Sequence, residues 1–220
     1  MGVKTLAQFQ NTLALALGRT IDPTLTLDWI NNALFEFGYA FKFPELQAKT
    51  TLVTIQGTDA YNLPADFRAF DETGVLATTP QNRVGGILAK ESRSNYLRAF
   101  RFVAANSQGP ARSYHRYQNQ IVFRPIPDST VTTFQYDYWK RITPLAAPGD
   151  VSVFQDDWDD VIFRGALYRG HMNYGEHDRM MNIFQMFLGL IRSRVMQEDL
   201  EEFPEGGISA IQSQYDSIRR

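Results

Sequence analysis

The sequence contains no cysteine, which excludes disulfide staples, thiolate nucleophiles, zinc fingers built on Cys and Fe–S clusters. Folding has to rest on burial. Nor does the chain carry an uninterrupted apolar run of the roughly 18 residues that a membrane-spanning helix needs. Charge of one sign is also lacking: 22 Lys plus Arg against 24 Asp plus Glu leave a formal net charge of -2. That balance disfavours bulk adhesion to DNA, RNA or an acidic membrane. The apolar stretch Leu13 to Leu17 is short, follows the polar residues Gln8, Gln10, Asn11 and Thr12, and is trailed by Arg19, so no secretion signal is expected. Leu6 stands where a myristoylation motif wants Ser or Thr.

What the chain does have is 220 residues, 44% hydrophobic and 13% aromatic, enough for one large domain or a domain with a sizeable insertion. Leu6, Phe9, Leu13 and Leu17 recur at helical spacing and predict a first helix ending near Gly18. Asp22-Pro23 reads as a turn, after which Thr26 is expected to cap a second helix carrying Ile30, Ala33, Leu34, Phe37 and Phe41 on one face. Pro44 stops it. From about residue 50 the pattern changes: Thr51 to Gln56 is β-branched, Tyr61-Asn62-Leu63-Pro64 ends a strand, and residues 112–118 and 120–124 form hairpin arms. Phe134, Tyr136 and Tyr138 alternate with Gln135, Asp137 and Trp139 along a further strand. Within this region Tyr96, Leu97, Phe100 and Val103 suggest a short helix over 91–103.

Pro144, Pro148 and Gly149 lead back to helix. Trp158, Val161, Ile162, Gly165, Tyr168 and Met172 make one stripe; beyond Gly175, Met180, Ile183, Phe184, Phe187, Ile191 and Val195 make another, and the two should pack as an antiparallel hairpin. The expected fold is α+β and mainly α: a bundle of about four long helices with an inserted antiparallel β-sheet region and an extended C-terminal tail. The expected divisions are 1–48 and 149–203 for the helices, 49–148 for the β insertion and 204–220 for the tail.

Chemistry-bearing patterns are few. His171, His177 and Asp178 straddle Gly175 and lack the H-E-x-x-H spacing, so helix-end roles suit them better than metal ligation or hydrolysis. His115, between Tyr114 and Arg116, is read as strand packing. Asp156, Asp157, Asp159 and Asp160 lack the alternation and turn glycine of a calcium loop, and are read as helix capping. Gly85-Gly86 matches no phosphate loop, and no G-x-S-x-G turn occurs. Arg93, Arg98 and Arg101 interleave with Tyr96, Phe100 and Phe102, a mixture suited to weak base stacking or to a solvated basic face. No enzyme, metal or cofactor is expected. An aromatic sheet of Tyr114, Tyr117, Tyr136, Tyr138 and Trp139, if exposed, would instead bind a carbohydrate or peptide.

The tail stands out. Behind Gly206 and Gly207, Ile208, Ile211, Tyr215 and Ile218 are apolar at helical spacing with little chain left to cover them, which points to a groove on a partner, or to folding back on the chain's own helices.

The order of motifs resembles bacteriophage head-to-tail adaptor (connector, head completion) proteins. The residues that carry this are the Leu6 to Leu17 helix, Trp29-Ile30-Asn31-Asn32-Ala33 leading to Phe43-Pro44-Glu45-Leu46, and Tyr61-Asn62-Leu63-Pro64-Ala65-Asp66-Phe67. Further on come Ile121-Val122-Phe123-Arg124-Pro125-Ile126-Pro127-Asp128 and Phe134-Gln135-Tyr136-Asp137-Tyr138. The resemblance implies a structural virion protein of the neck, assembled in the host cytoplasm. It implies a homo-oligomeric ring, commonly twelvefold, between the portal protein and a tail tube or nozzle protein, with genomic DNA passing through in weak contact. It brings no catalytic residues, and it implies that the segment Gly206, Gly207, Ile208, Ile211, Tyr215 and Ile218 reaches the portal.

Overall fold

The computed structural model describes residues 3–78, 86–92, 94, 107–128, 132–201, 208 and 211–212. The chain divides into two compact units. Unit 1 joins Met1–Leu46 to Ile142–Arg220, and unit 2 is the intervening Gln47–Arg141.

In unit 1, helix α1 (Leu6–Leu17) is closed at its start by a capping box between Thr5 and Gln8 and at its end by Gly18, whose φ of 65° suits a residue without a Cβ. Helix α2 (Pro23–Gly38) begins earlier than the sequence suggests: Asp22 caps it, its side chain accepting from the Thr24 N–H, and Pro23 occupies the first helical position. Thr26 instead lies inside the first turn, its hydroxyl donating to the Pro23 carbonyl at 2.9 Å. After a 3-10 turn at Asp156–Trp158 come α3 (Asp159–Asn173) and α4 (His177–Glu198), joined through Gly175 with φ 71°.

Helix α3 is the one the others pack on, because it touches α1, α2 and α4. Close approach depends on Gly165, where a Cβ would sit 2.8 Å from Ala33 Cβ and 2.9 Å from Phe187 Cε2. Around the 3-10 turn lies an aromatic nucleus in which Phe37 stacks on Trp158 with centroids 5.1 Å apart and Phe43 meets Phe154 at 4.5 Å. No described helix is long and apolar enough to cross a membrane.

In unit 2 the strands are β1 (Gln47–Val53), β2 (Ala60–Asn62), β3 (Phe67–Ala77), β4 (Ala89–Lys90), β5 (Gln108–Gly109), β6 (Ser113–Tyr117), β7 (Gln120–Arg124), β8 (Ile126–Pro127) and β9 (Thr133–Lys140). They form sheets of order β1-β9-β3, β2-β7-β6-β4 and β5-β8. The β6–β7 hairpin turns through Gln118, at φ 53°, and Asn119. β3 was not visible as a strand in the sequence, since its pairing with β9 shifts register between Phe70 and Val75, across Asp71, Glu72 and Gly74. Leu63, Phe67, Val75, Tyr114, Ile121, Phe123, Phe134, Tyr136 and Tyr138 belong to one buried cluster.

The expectation of a mainly α bundle with a small inserted sheet is therefore corrected. Of the described residues 42% are helical and 27% are strand, in three sheets, which is a mixed α and β fold. Neither is the β region purely antiparallel: β4 pairs with β6, and β5 with β8, in parallel. The physical reason is that unit 2 has an aromatic core of its own. The proposed helix over 91–103 falls almost wholly outside the described residues.

Candidate functional site

The aromatic sheet offers no stacking platform of the kind expected of a carbohydrate or peptide binder. Tyr114, Tyr136, Tyr138 and Trp139 are all buried, and of the five aromatic candidates Tyr117 alone is exposed. Burial pushes the Tyr114 and Tyr136 hydroxyls up to about 12, as expected of phenols held among apolar rings. Tyr138 donates instead to Asp66 Oδ1 at 3.0 Å. These side chains are core.

The histidines and aspartates do not converge either. His171, buried near the end of α3, lies with Nδ1 2.7 Å from Glu176 Oε2, and Glu176 also receives Arg19 at 2.7 Å and Arg179 at 3.3 Å. That hub ties the end of α1 to the α3–α4 turn. The His171 hydrogen bond is the main reason the Glu176 carboxyl is held below its usual range, with the two arginines assisting. His177 and Asp178 are exposed at the start of α4, and His115 is buried on β6.

Asp156, Asp157, Asp159 and Asp160 lie in or beside the first turn of α3 as expected, yet none supplies a side-chain cap there. They are spent separately. Asp159 is buried, which raises its carboxyl against the opposing effect of the Lys4 N–H donated to Oδ2 at 2.7 Å. Asp160 faces Lys4 Nζ at 3.7 Å, and Asp157 faces Arg194 at 3.6 Å. Among the described residues no group of three or more His, Cys, Asp or Glu is placed to hold a metal ion. Arg93, Arg98 and Arg101 with their aromatic neighbours lie outside the described residues.

α4 ends at Asp199, in left-handed conformation with φ 51°, whose N–H closes on the Val195 carbonyl. Just before it, Glu198 Oε1 accepts from Trp158 Nε1 at 2.9 Å. Desolvation raises the Glu198 carboxyl, the Trp158 bond opposes that, and the neighbouring charges of Glu45 and Asp157 add to the rise. Glu45 in turn accepts from Gln155 at 3.1 Å.

Just after the cap, the chain is pinned to the end of α2's connection. The Lys42 N–H donates to the Glu201 carbonyl at 2.7 Å, and Lys42 Nζ donates to Glu201 Oε2 at 2.8 Å. The Lys42 side chain is 11% exposed against 74% for Glu201, so the ammonium is largely sheltered while its partner faces water. Sequence reasoning missed this pair because its members lie 159 positions apart and neither belongs to a motif.

Of the tail residues singled out in the sequence, Ile208 is helical and partly buried, and Ile211 is helical and 3% exposed. Gly206, Gly207, Tyr215 and Ile218 lie outside the described residues.

What the described residues present is a set of ionic and hydrogen-bonded ties between elements. A converging acid, base and nucleophile are not among them. Comparison with known proteins agrees in kind. No curated protein matches the sequence. The family described as SU10 adaptor protein matches residues 4–208, nearly all of both units and the first part of the tail. The chain therefore belongs to the SU10 adaptor protein family, a family of phage head-to-tail adaptors.

Proposed function

We propose that this adaptor is a ring-forming structural protein of the virion neck, seated between the portal and a tail tube or nozzle, with the genome passing through the ring. The observation that carries the reading is the family match across residues 4–208. Copies meet head to tail, and rotation closes the ring, in the family manner with twelve copies. The segments 1–48 and 149–203 form the body through which neighbouring protomers meet. Residues 49–148 form the module that faces the tail, and 204–220 is the docking arm. Assembly takes place in the host cytoplasm. A net charge of -2 suits a conduit that must let DNA slide without holding it. The protein's work in this reading is assembly, and it has no catalytic step.

The docking arm reaches the portal through Gly206, Gly207, Ile208, Ile211, Tyr215 and Ile218. The glycines give freedom of direction, and the apolar residues supply burial in a groove of the portal. Electron microscopy of the full-length chain mixed with purified portal tests the reading. The expected result is an added ring of density beneath the portal. Deletion of residues 207–220 should abolish that density without unfolding the body, which circular dichroism checks. Portal particles that stay bare with the full-length chain would contradict the adaptor reading for this protein.

A further inference from the structure

Helix α1 has no charged residue anywhere in its sequence, LAQFQNTLALAL. Its core face is Leu6, Phe9, Leu13 and Leu17, and the opposite face is Gln8, Asn11, Thr12 and Leu15, all exposed. Leu15 is 83% exposed. It borders a groove of about 560 Å³ whose walls include Gln10, Ala14, Gly18 and Ile21. Helix α4 has a face of the same kind. Opposite its buried Phe184, Phe187 and Ile191 runs an outer stripe of Asn182, Met186, Gly189, Ser193 and Met196, at coiled-coil spacing and uncharged throughout. Met186 is 50% exposed and Met196 83%. A solvated helix face ordinarily carries charge, and 21% of this chain is charged. Two charge-free outer faces on one unit therefore point to surfaces that assembly covers.

Gly189 sharpens the point. A Cβ there would meet nothing within 4 Å, so the free chain has no steric need for glycine, and mid-helix glycine is among the least favourable residues. A partner that approaches closely supplies the need. The two faces also fit each other. The stripe is recessed at Gly189 and Ser193 between two methionines, while α1 presents Leu15 as a knob beside a groove that a flexible methionine can fill. Neither face brings a charge to the contact, so covering them strands no ion. Within one molecule they do not meet, because α1 and α4 both pack on α3 and not closely on each other.

We propose that a second copy of this chain covers each face: Leu15 of one protomer seats over Gly189 of the next, with Met186 and Met196 on either side. Such a contact is heterologous, since each copy offers α1 to one neighbour and α4 to the other, and it repeats from copy to copy. The inference rests on the ring reading above and names the surfaces by which the copies meet. With 12 residues, α1 is about 18 Å long, so one such contact is smaller than a standard stable interface. It is weak between free chains and gains strength on a template that holds many copies together.

Because the chain has no cysteine, an introduced pair reports this contact alone. The full-length chain carrying Leu15→Cys with Ser193→Cys is oxidised at high concentration, alone and with purified portal. The expected product is a ladder of covalent dimers, trimers and longer oligomers. It should be about tenfold more abundant than the product of Asp28→Cys with Ser193→Cys, which pairs the same stripe with an exposed residue of α2. Each single variant should stay monomeric. Gly189→Glu, added to the first pair, fills the recess with a charged side chain. The site is open in the free chain and glutamate favours helix, so the melting temperature should match or exceed that of the parent while the ladder falls about tenfold.

A ladder no stronger than the Asp28 control, with and without portal, would overturn the contact. Dimers from either single variant would replace it with α1 on α1 or α4 on α4. A G189E chain that keeps its ladder but no longer binds portal would assign the α4 face to the portal instead. Failure of the adaptor reading shows separately: a chain that forms the ladder yet leaves portal bare would refute that reading and leave this contact standing.

Discussion

Asn31 binds the backbone of Leu145 with both ends of its amide. Its Nδ2 donates to the Leu145 carbonyl at 2.9 Å, and the Leu145 N–H donates to its Oδ1 at 2.8 Å. A residue of α2 thereby acts as a surrogate strand neighbour for the segment that leads back into unit 1. Asn31→Leu removes both partners from a part-buried pair of backbone groups and should cost about 2 kcal/mol. Asn31→Asp keeps the acceptor and loses the donor, and should fall between. Urea unfolding of the three proteins checks the order.

Gly165 is the position in α3 where sequence and packing meet most tightly. Gly165→Ala places a methyl 2.8 Å from Ala33 Cβ and 2.9 Å from Phe187 Cε2. Helix propensity favours alanine there by about 1 kcal/mol, whereas overpacking costs about 1–3 kcal/mol. The clash against α2 and α4 wins, so the expected outcome is a lower Tm by calorimetry, with Gly165→Val lower still.

Glu36 joins α2 to α3 through an ion pair that is mostly sheltered. Its Oε2 lies 2.7 Å from Arg169 Nη2, the side chains being 6% and 15% exposed, and Tyr168 donates its hydroxyl to the same oxygen at 2.8 Å. Desolvation is the chief cause that drives the Tyr168 phenol far above its ordinary range, and the Glu36 charge adds to it. Arg169→Leu strands the carboxylate and should destabilise by about 3–5 kcal/mol. The double variant with Glu36→Leu should recover most of that loss, since an apolar pair carries no desolvation penalty. A double-mutant cycle by denaturant unfolding measures the difference.

Glu198 and Glu176 predict opposite responses to pH. The folded state raises Glu198 above its ordinary 4.5, so it contributes stability below that value that is lost as pH rises through the folded pKa. Glu198→Gln keeps an acceptor for Trp158 and should make the protein more stable than wild type near pH 7. The gain is roughly a few tenths of a kcal/mol once solvent screening is allowed for. It should vanish near pH 4.

For Glu176 the sign reverses. Its carboxyl is lowered in the folded state, so its contribution is present above the ordinary value of 4.5 and lost as pH falls through the lowered one. Glu176→Gln should therefore be less stable than wild type at neutral pH, and the gap should close in acid. Unfolding midpoints across pH 3–7 for both variants check the two signs.

Periodicity made the helices legible. Phe9 and Leu13 in α1, or Phe184, Phe187 and Ile191 in α4, bury one face at 3.6-residue spacing. β3 was not legible, because Asp71, Glu72 and Gly74 interrupt its alternation at a register shift. β4, β5 and β8, of two residues each, are too short to have a period at all. Undercounting such strands is what tilted the reading towards a helical bundle. Asp22-Pro23 read as a turn because an N-cap followed by proline and a turn use the same residues. The Lys42–Glu201 and Arg19–Glu176 ties were hidden for another reason: single charges carry no periodic signature, and their partners are chosen by tertiary proximity. The isoleucines of the tail did announce an apolar segment, though composition could not say that Ile211 has a seat within the free chain.

Because unit 1 is assembled from both chain ends while Gln47–Arg141 is continuous, the two units cannot mature in the order in which they begin. The ribosome releases α1 and α2 well before α3, the helix on which they pack. Leu13, Ile30 and Phe37 wait unburied while the β strands emerge and find one another. During synthesis the later-starting unit is thus the first to be complete, and a released chain that ends near residue 141 carries every strand of the sheet domain behind two orphaned amphipathic helices.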